Sequence, residues 1–143
     1  MFTVAIDAVR NGSISMSLTT DRNDPGLRKV RPDGQNEVYL ILSEEERAKG
    51  FVRPVRRKYL HLKCGGVTTM GQALCETYAR DPKFYGATMC VHCGKHFHLQ
   101  TADGWQFLWE PDGDPVGSNA EEAEAYLAVR KAEEAAKHLG EAI

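Results

Sequence analysis

Two cysteines separated by two residues, Cys90 and Cys93, carry the clearest chemical signal in the chain. Their segment reads CVHCGK, and the glycine that follows lets backbone amides approach the thiolate sulfurs of a tight turn. Such a pair can bind a metal ion or act as a redox pair. No strand–helix–strand pattern surrounds it, as a thioredoxin-like redox site would require, so metal binding is the favoured interpretation.

A tetrahedral metal ion needs two further ligands, and the segment HLKCGG offers them at the same spacing. His61 and Cys64 are also separated by two residues and followed by glycine, and 25 residues lie between the two pairs. Zinc is the usual ion for ligands of these types. We therefore predict one structural zinc ion held by His61, Cys64, Cys90 and Cys93.

These paired halves resemble the knuckles of the zinc-ribbon family over residues 59–109. Two features depart from that pattern, because His61 stands where most ribbons have cysteine and a helix is predicted where many have a short loop. A second resemblance, to uncharacterised phage and prophage proteins, is carried by FVRPVRRKY, CGGVTTM and ETYARDPKFYGATMCVHCGKHF. It implies a phage-encoded protein and implies no activity.

Four other side chains compete for the ligand positions: Cys75, His92, His96 and His98. Cys75 lies on a predicted helix, where a free cysteine usually acts as a small buried apolar residue. His92 lies inside the turn between the two cysteines. His96 and His98 alternate with apolar residues on a predicted strand, so they should face away from its apolar side. Replacement of His61 by one of them stays open.

The predicted ligand set argues against catalysis. Four protein ligands would fill the coordination of the ion, whereas a catalytic zinc keeps a position open for water or substrate. The sequence also lacks a G-x-S-x-G elbow, a phosphate loop and a dinucleotide fingerprint. We therefore expect a protein that is not an enzyme. A zinc-dependent nuclease or hydrolase that uses the extra histidines is the third alternative.

Positive charge is concentrated before the first ligand pair. Residues 47–63 contain no acid and acids dominate from residue 110 onward, although the net charge is only −2. A basic run beside a rigid metal knuckle predicts contacts with phosphates, and an aromatic hairpin predicts base stacking. The predicted nucleic-acid-binding residues are Arg53, Arg56, Arg57, Lys58, Lys63 and Trp105. The alternative is a protein-interaction module that acts on a host enzyme or defence complex as an inhibitor or adaptor.

The fold predicted from the sequence is α+β, in one compact unit of three parts. They are an N-terminal β portion with a short helix at residues 1–58, a zinc ribbon with an inserted helix at 59–110, and a loop and C-terminal helix at 111–143. The longest apolar run, residues 38–42, is far shorter than the roughly 20 residues that span a bilayer. Residues 1–10 lack a signal-peptide pattern. We expect a cytoplasmic protein, in the host cytoplasm if it is phage-encoded, with no membrane partner.

Alternation and capping residues predict the individual elements. Residues 3–19 should form a hairpin, residues 37–42 a strand, and Ser43 with Glu46 should cap a short helix. Thr69 should cap the inserted helix, which ends at Asp81-Pro82 and has Leu74 and Tyr78 on its inner face. A second hairpin should turn at residues 102–104. Ser118 should cap the C-terminal helix, which we expect to pack on its own domain rather than form a coiled coil.

Overall fold

The computed structural model describes residues 17–141. Within them the protein is α+β, with nine short strands and three α-helices. The hairpin predicted at residues 3–19 lies outside the described residues except for its last three positions. None of the described helices is both long and apolar enough to cross a membrane.

The N-terminal part is a two-stranded parallel sheet followed by one turn of helix. Strand β1 (Ser17–Thr19) pairs with β2 (Val38–Leu40), and a short 3₁₀-helix (Pro25–Arg28) lies between them. Helix α1 (Glu44–Arg47) begins where the Ser43 hydroxyl accepts a hydrogen bond from the Glu46 N–H at 3.1 Å. The strand predicted at residues 37–42 and the Ser43 cap are both confirmed.

A three-stranded antiparallel sheet forms the centre of the protein. Strand β3 (Lys58–His61) lies between β4 (Val67–Thr69) and β9 (Phe107–Glu110). Beside this sheet, β5 (Ala87–Cys90) and β6 (Lys95–His98) form an antiparallel hairpin. Each ligand pair of the predicted metal site therefore lies at the end of a strand and in the turn that follows it.

The second predicted hairpin is much shorter than expected. Only β7 (Gln100–Thr101) and β8 (Gly104–Trp105) pair across its turn. The neighbouring strands take other partners, because β6 pairs with β5 and β9 pairs with β3. The prediction of one long hairpin is wrong, since an alternating pattern shows which face of a strand is buried and does not identify its partner.

The inserted helix α2 (Gln72–Arg80) connects β4 to β5, with Gly71 at its N-cap. The predicted cap at Thr69 is wrong because Thr69 belongs to β4, where it pairs with Lys58. The inner face of the helix was predicted correctly. Leu74 and Tyr78 are both buried, and they join the main core.

The C-terminal helix α3 (Ala120–Glu141) has a capping box one residue later than predicted. The Asn119 side chain accepts from the Glu122 N–H at 2.8 Å, and the Glu122 carboxylate accepts from the Asn119 N–H at 3.0 Å. Ser118 instead donates its hydroxyl proton to the Pro115 carbonyl at 2.6 Å.

Most of α3 extends away from the rest of the described protein. Ala123, in its second turn, is 2% exposed, whereas Val129 and Leu139 are 57% and 71% exposed. Every side chain described from Leu127 to Leu139 is exposed. The prediction that this helix packs along its own domain is therefore wrong beyond its first turns.

Aromatic residues of the central sheet form the core that supports the two turns with the predicted metal ligands. The Tyr59 ring meets Phe107 and Trp109 edge-on, with ring centroids 5.6 and 5.9 Å apart. Its hydroxyl donates to the Met89 carbonyl in β5 and accepts from the Thr88 hydroxyl. This buried tyrosine joins β3 to β5, so it sets the position of one ligand turn relative to the other.

Candidate metal centre

The first ligand turn connects β3 to β4. His61 is the last residue of β3, and the Gly65 N–H donates to the His61 carbonyl at 2.8 Å. Gly65 has a φ of +75°, a conformation that glycine adopts without strain. The Gly66 N–H donates to the Cys64 sulfur at 3.3 Å. The glycines thus close the turn and direct an amide at the sulfur.

The second ligand turn repeats this geometry between β5 and β6. Cys90 is the last residue of β5, and the Gly94 N–H donates to the Cys90 carbonyl at 2.8 Å. Gly94 has a φ of +72°, close to that of Gly65. The matched spacing in the sequence therefore corresponds to a matched backbone structure in the two turns.

The four predicted ligands come together in the structure and could hold a metal ion. One ligand atom from each of His61, Cys64, Cys90 and Cys93 lies within 4.8 Å of all the others. The Cys64 and Cys90 sulfurs are 3.6 Å apart, and the Cys93 sulfur is 3.6 Å from His61 Nδ1. These contacts join the two turns, whose ligand pairs are far apart in the sequence.

His61 belongs to both the ligand cluster and the aromatic core. Its side chain is 1% exposed, and its ring stacks on Phe107 at 4.6 Å and packs against Phe97 at 4.5 Å between centroids. Nδ1 faces the cysteines, while Nε2 is buried without a hydrogen-bond partner among the described residues. Burial, with a smaller contribution from Lys63, lowers the pKa of His61. This favours the neutral imidazole, which is the form that binds metals.

The three cysteines of the cluster differ in exposure. Cys64 and Cys93 are exposed, whereas Cys90 is fully buried. Burial raises the pKa of Cys90 to about 11. Burial also tends to raise the pKa of Cys64, but hydrogen bonds from the Gly66 N–H and from the neighbouring thiols outweigh it, so that pKa is lowered. A bound cation would favour the thiolate form of all three.

The competing side chains have other contacts. Cys75 is buried and donates to the Met70 carbonyl at 3.6 Å, and burial raises the pKa of its thiol to about 12. His96 Nε2 is 2.8 Å from the Tyr39 hydroxyl. His92 Nε2 is 3.1 Å from the Val67 carbonyl, which links the two ligand turns. His98 is exposed, and none of the four belongs to the ligand cluster.

The structure places two of the predicted phosphate-binding residues in internal ion pairs. Arg56 is 8% exposed and donates to Asp112 at 2.9 Å and to Asp114 at 2.8 Å. Arg53 also pairs with Asp114, and the Arg56 guanidinium lies 5.1 Å from the Trp109 ring centroid. Both guanidinium groups thus contact carboxylates inside the protein. These pairs join residues 56 to 61 positions apart, and no local pattern in the sequence indicates them.

The other predicted nucleic-acid residues are arranged differently. Arg57, Lys58 and Lys63 are exposed, and no carboxylate among the described residues forms an ion pair with them. Arg57 donates to the Met70 carbonyl at 3.3 Å, and Lys63 lies over the Phe97 ring. Trp105 is half-buried, with the Lys83 ammonium 5.3 Å from its ring centroid.

No family model, curated protein or solved structure matches this chain. The resemblances to zinc ribbons and to phage proteins therefore stay expectations.

Proposed function

We propose that the protein is a non-catalytic binding module held together by one structural zinc ion at His61, Cys64, Cys90 and Cys93. The observation that carries this proposal is the spacing of the ligand atoms. Zinc–sulfur bonds of about 2.3 Å and zinc–nitrogen bonds of about 2.0 Å place tetrahedral ligands about 3.5–3.8 Å apart. The two ligand-atom pairs described above are each separated by 3.6 Å.

The chemistry of the donors supports zinc in a structural role. Thiolate and neutral imidazole are ligands that zinc prefers, and four of them complete a tetrahedral site without an open position. The ion would supply a cross-link between the turn after β3 and the turn after β5. Because these turns belong to two separate sheets, the cross-link would fix one sheet relative to the other.

Elemental analysis of the purified full chain tests this proposal. We expect one zinc per chain and cooperative loss of structure, measured by circular dichroism, when a strong chelator removes it. Cys75→Ala is the matched control, because it removes a thiol outside the cluster and should keep the full zinc content. A metal-free chain with an unchanged melting temperature would contradict the proposal.

We further propose that the partner is nucleic acid. The two segments that contain all four ligands, residues 47–75 and 82–102, contain seven and two lysines or arginines and no acid. After the internal ion pairs are discounted, Arg57, Lys58, Lys63 and Lys95 retain unpaired positive charge among the described residues. Four phosphate contacts predict a slope of about −3 for the logarithm of affinity against the logarithm of salt concentration.

A protein partner is the second candidate, and the exposed helix α3 favours it. On a helical projection its charge-free face includes Val129, Ala132, Ala136 and Leu139, all exposed, and it lies roughly opposite the buried Ala123. Capture of a host protein from nuclease-treated lysate by the wild type, and its loss in Val129→Glu/Leu139→Glu, would support this candidate. Retained capture by that variant would contradict a role for the helix.

A further inference from the structure

We infer that the phosphates of single-stranded nucleic acid bind between Lys63 and Lys95, which we call the knuckle lysines. Lys63 lies in the first ligand turn, immediately before Cys64, and Lys95 is the first residue of β6, two residues after Cys93. The inference rests on the proposed function, since it places the nucleic-acid contact at the metal centre. It also assigns the nucleic-acid contact to the knuckle lysines instead of Arg53 and Arg56, whose charges are paired internally.

The knuckle lysines converge on one aromatic ring. The Lys63 ammonium lies 5.9 Å from the Phe97 ring centroid, and the Lys95 ammonium lies 5.1 Å from it. These two distances limit the separation of the ammonium groups to 11 Å. A ring attracts a cation through its electron-rich face without removing its charge, unlike a carboxylate partner. The two ammonium groups thus lie within 11 Å of each other, and both remain available to an anion.

The charges around the knuckle lysines are not balanced by acids. Both side chains are exposed, and neither forms an ion pair with a described carboxylate, whereas Lys49 pairs with Glu46 and Lys83 pairs with Glu122. A zinc ion with three thiolates and a neutral imidazole carries one net negative charge. The two lysines exceed that charge by one, so an anion can bind there without facing net repulsion.

The position of the knuckle lysines depends on both ligand turns. Lys63 is fixed by the turn after β3 and Lys95 by the start of β6, and the ligand cluster joins these two segments. A compact cationic site next to an aromatic ring is typical of single-strand binding.

Fluorescence anisotropy with a labelled oligothymidylate and the zinc-loaded full chain tests the inference. Lys63→Ala/Lys95→Ala should bind at least tenfold more weakly at low salt, and its salt slope should be shallower by about 1.4, from about 0.7 per lost contact. Lys63→Arg/Lys95→Arg should restore binding because it keeps both charges. Lys29→Ala/Lys131→Ala, which removes two exposed charges elsewhere, is the matched control and should bind like the wild type.

Zinc content and melting temperature are measured on every variant, so that the two proposals can fail separately. Wild-type affinity in Lys63→Ala/Lys95→Ala would overturn the inference and leave the zinc proposal intact. A wild type that holds one zinc but binds no single strands, or binds duplex more tightly, would also overturn it. A chain without zinc would overturn the proposed function itself, whatever its affinity for the oligonucleotide.

Discussion

Two polar clusters connect distant segments of this chain, and only one of them can be read from the sequence. The metal centre joins two ligand turns, each with a short and repeated spacing. The arginine–aspartate cluster, which consists of Arg53, Arg56, Asp112 and Asp114, joins residues 56 to 61 positions apart. A site can be predicted from the sequence when each of its halves is formed by neighbouring residues, because the spacing of those residues then constrains the geometry.

The two clusters also differ in what holds them together. In the metal centre one ion would bind three thiolates and an imidazole. These bonds would compensate for the hydration that the ligand groups lose on folding. In the arginine–aspartate cluster two guanidinium groups share Asp114, whose side chain is 9% exposed. A buried pair adds little stability compared with an apolar replacement, yet removal of one partner leaves an uncompensated charge. Both clusters should therefore be sensitive to mutation, for different reasons.

The largest expected effect comes from the metal centre. Cys90→Ser should abolish tight zinc binding and the cooperative unfolding transition, because structural zinc contributes on the order of 10 kcal/mol, as much as the stability of a whole domain. Elemental analysis and thermal melting measure both consequences. A Cys90→Ser protein that melts cooperatively near the wild-type temperature would show that the ion is not structural.

A smaller effect is expected from the arginine–aspartate cluster. Asp114→Ala should lower the free energy of unfolding by about 3–5 kcal/mol, since Arg53 and Arg56 both lose a partner. Asp112→Ala is the matched control. Its side chain is 37% exposed, so its loss should cost about 1 kcal/mol or less.

Urea unfolding of the zinc-loaded variants provides the measurement for this cluster. Equal losses in the free energy of unfolding for Asp112→Ala and Asp114→Ala would mean that burial does not determine how much each carboxylate contributes to stability. Zinc content should stay at the wild-type level in both, because neither aspartate belongs to the ligand cluster.

A substitution at Cys75 distinguishes a role in core packing from a role as a metal ligand. Cys75→Ala should cost about 1 kcal/mol, as expected for truncation of one small buried side chain, with an unchanged zinc content. Chemical denaturation and elemental analysis on the same preparation measure the two quantities. Loss of zinc in Cys75→Ala would transfer a ligand role from His61 to Cys75.

The smallest effect concerns His96, which lies outside the metal centre. Burial lowers the pKa of His96, so as the pH falls the unfolded chain takes up a proton first. The contribution of His96 to the free energy of unfolding is constant at pH values above about 6.5, the pKa of histidine in an unfolded chain. Below that pH the stability of the protein falls.

Denaturation at a series of pH values, with His96→Gln as the variant, isolates this effect from the acid sensitivity of the ligands. The variant should lose less stability than the wild type between pH 6.5 and 5.5. Identical pH profiles would show that His96 remains as easily protonated in the folded protein as in the unfolded chain.

Local patterns predicted much of the fold and of the candidate site. The ligand turns, the Ser43 cap and the inner face of α2 each depend on residues within a few positions of one another. Such features follow from turn geometry and helical period, which neighbouring residues determine. Each half of the ligand set was predicted because its glycine-containing turn is locally specified, whereas the contact between the halves depends on the buried Tyr59 that joins β3 to β5.

Features that depend on distant partners were predicted less well. Phe107 and Trp109 are both buried on β9, but the alternation of residues could not show that β9 pairs with β3. The sequence likewise gave no signal that Asp114 would pair with Arg53 and Arg56. The cap of α3 was misplaced by one residue because Ser118 and Asn119 are both good capping residues, and the choice depended on the Ser118 contact with Pro115.

The position of His61 between two phenyl rings limits which other metal-binding residue could replace it. A cysteine at this position would keep four metal ligands, but it is smaller than imidazole and would leave a void between Phe97 and Phe107. Voids in a packed core cost about 24 cal/mol for each cubic ångström. The imidazole therefore fills space as well as offering a metal ligand, and an all-thiolate site would require a different aromatic core around it.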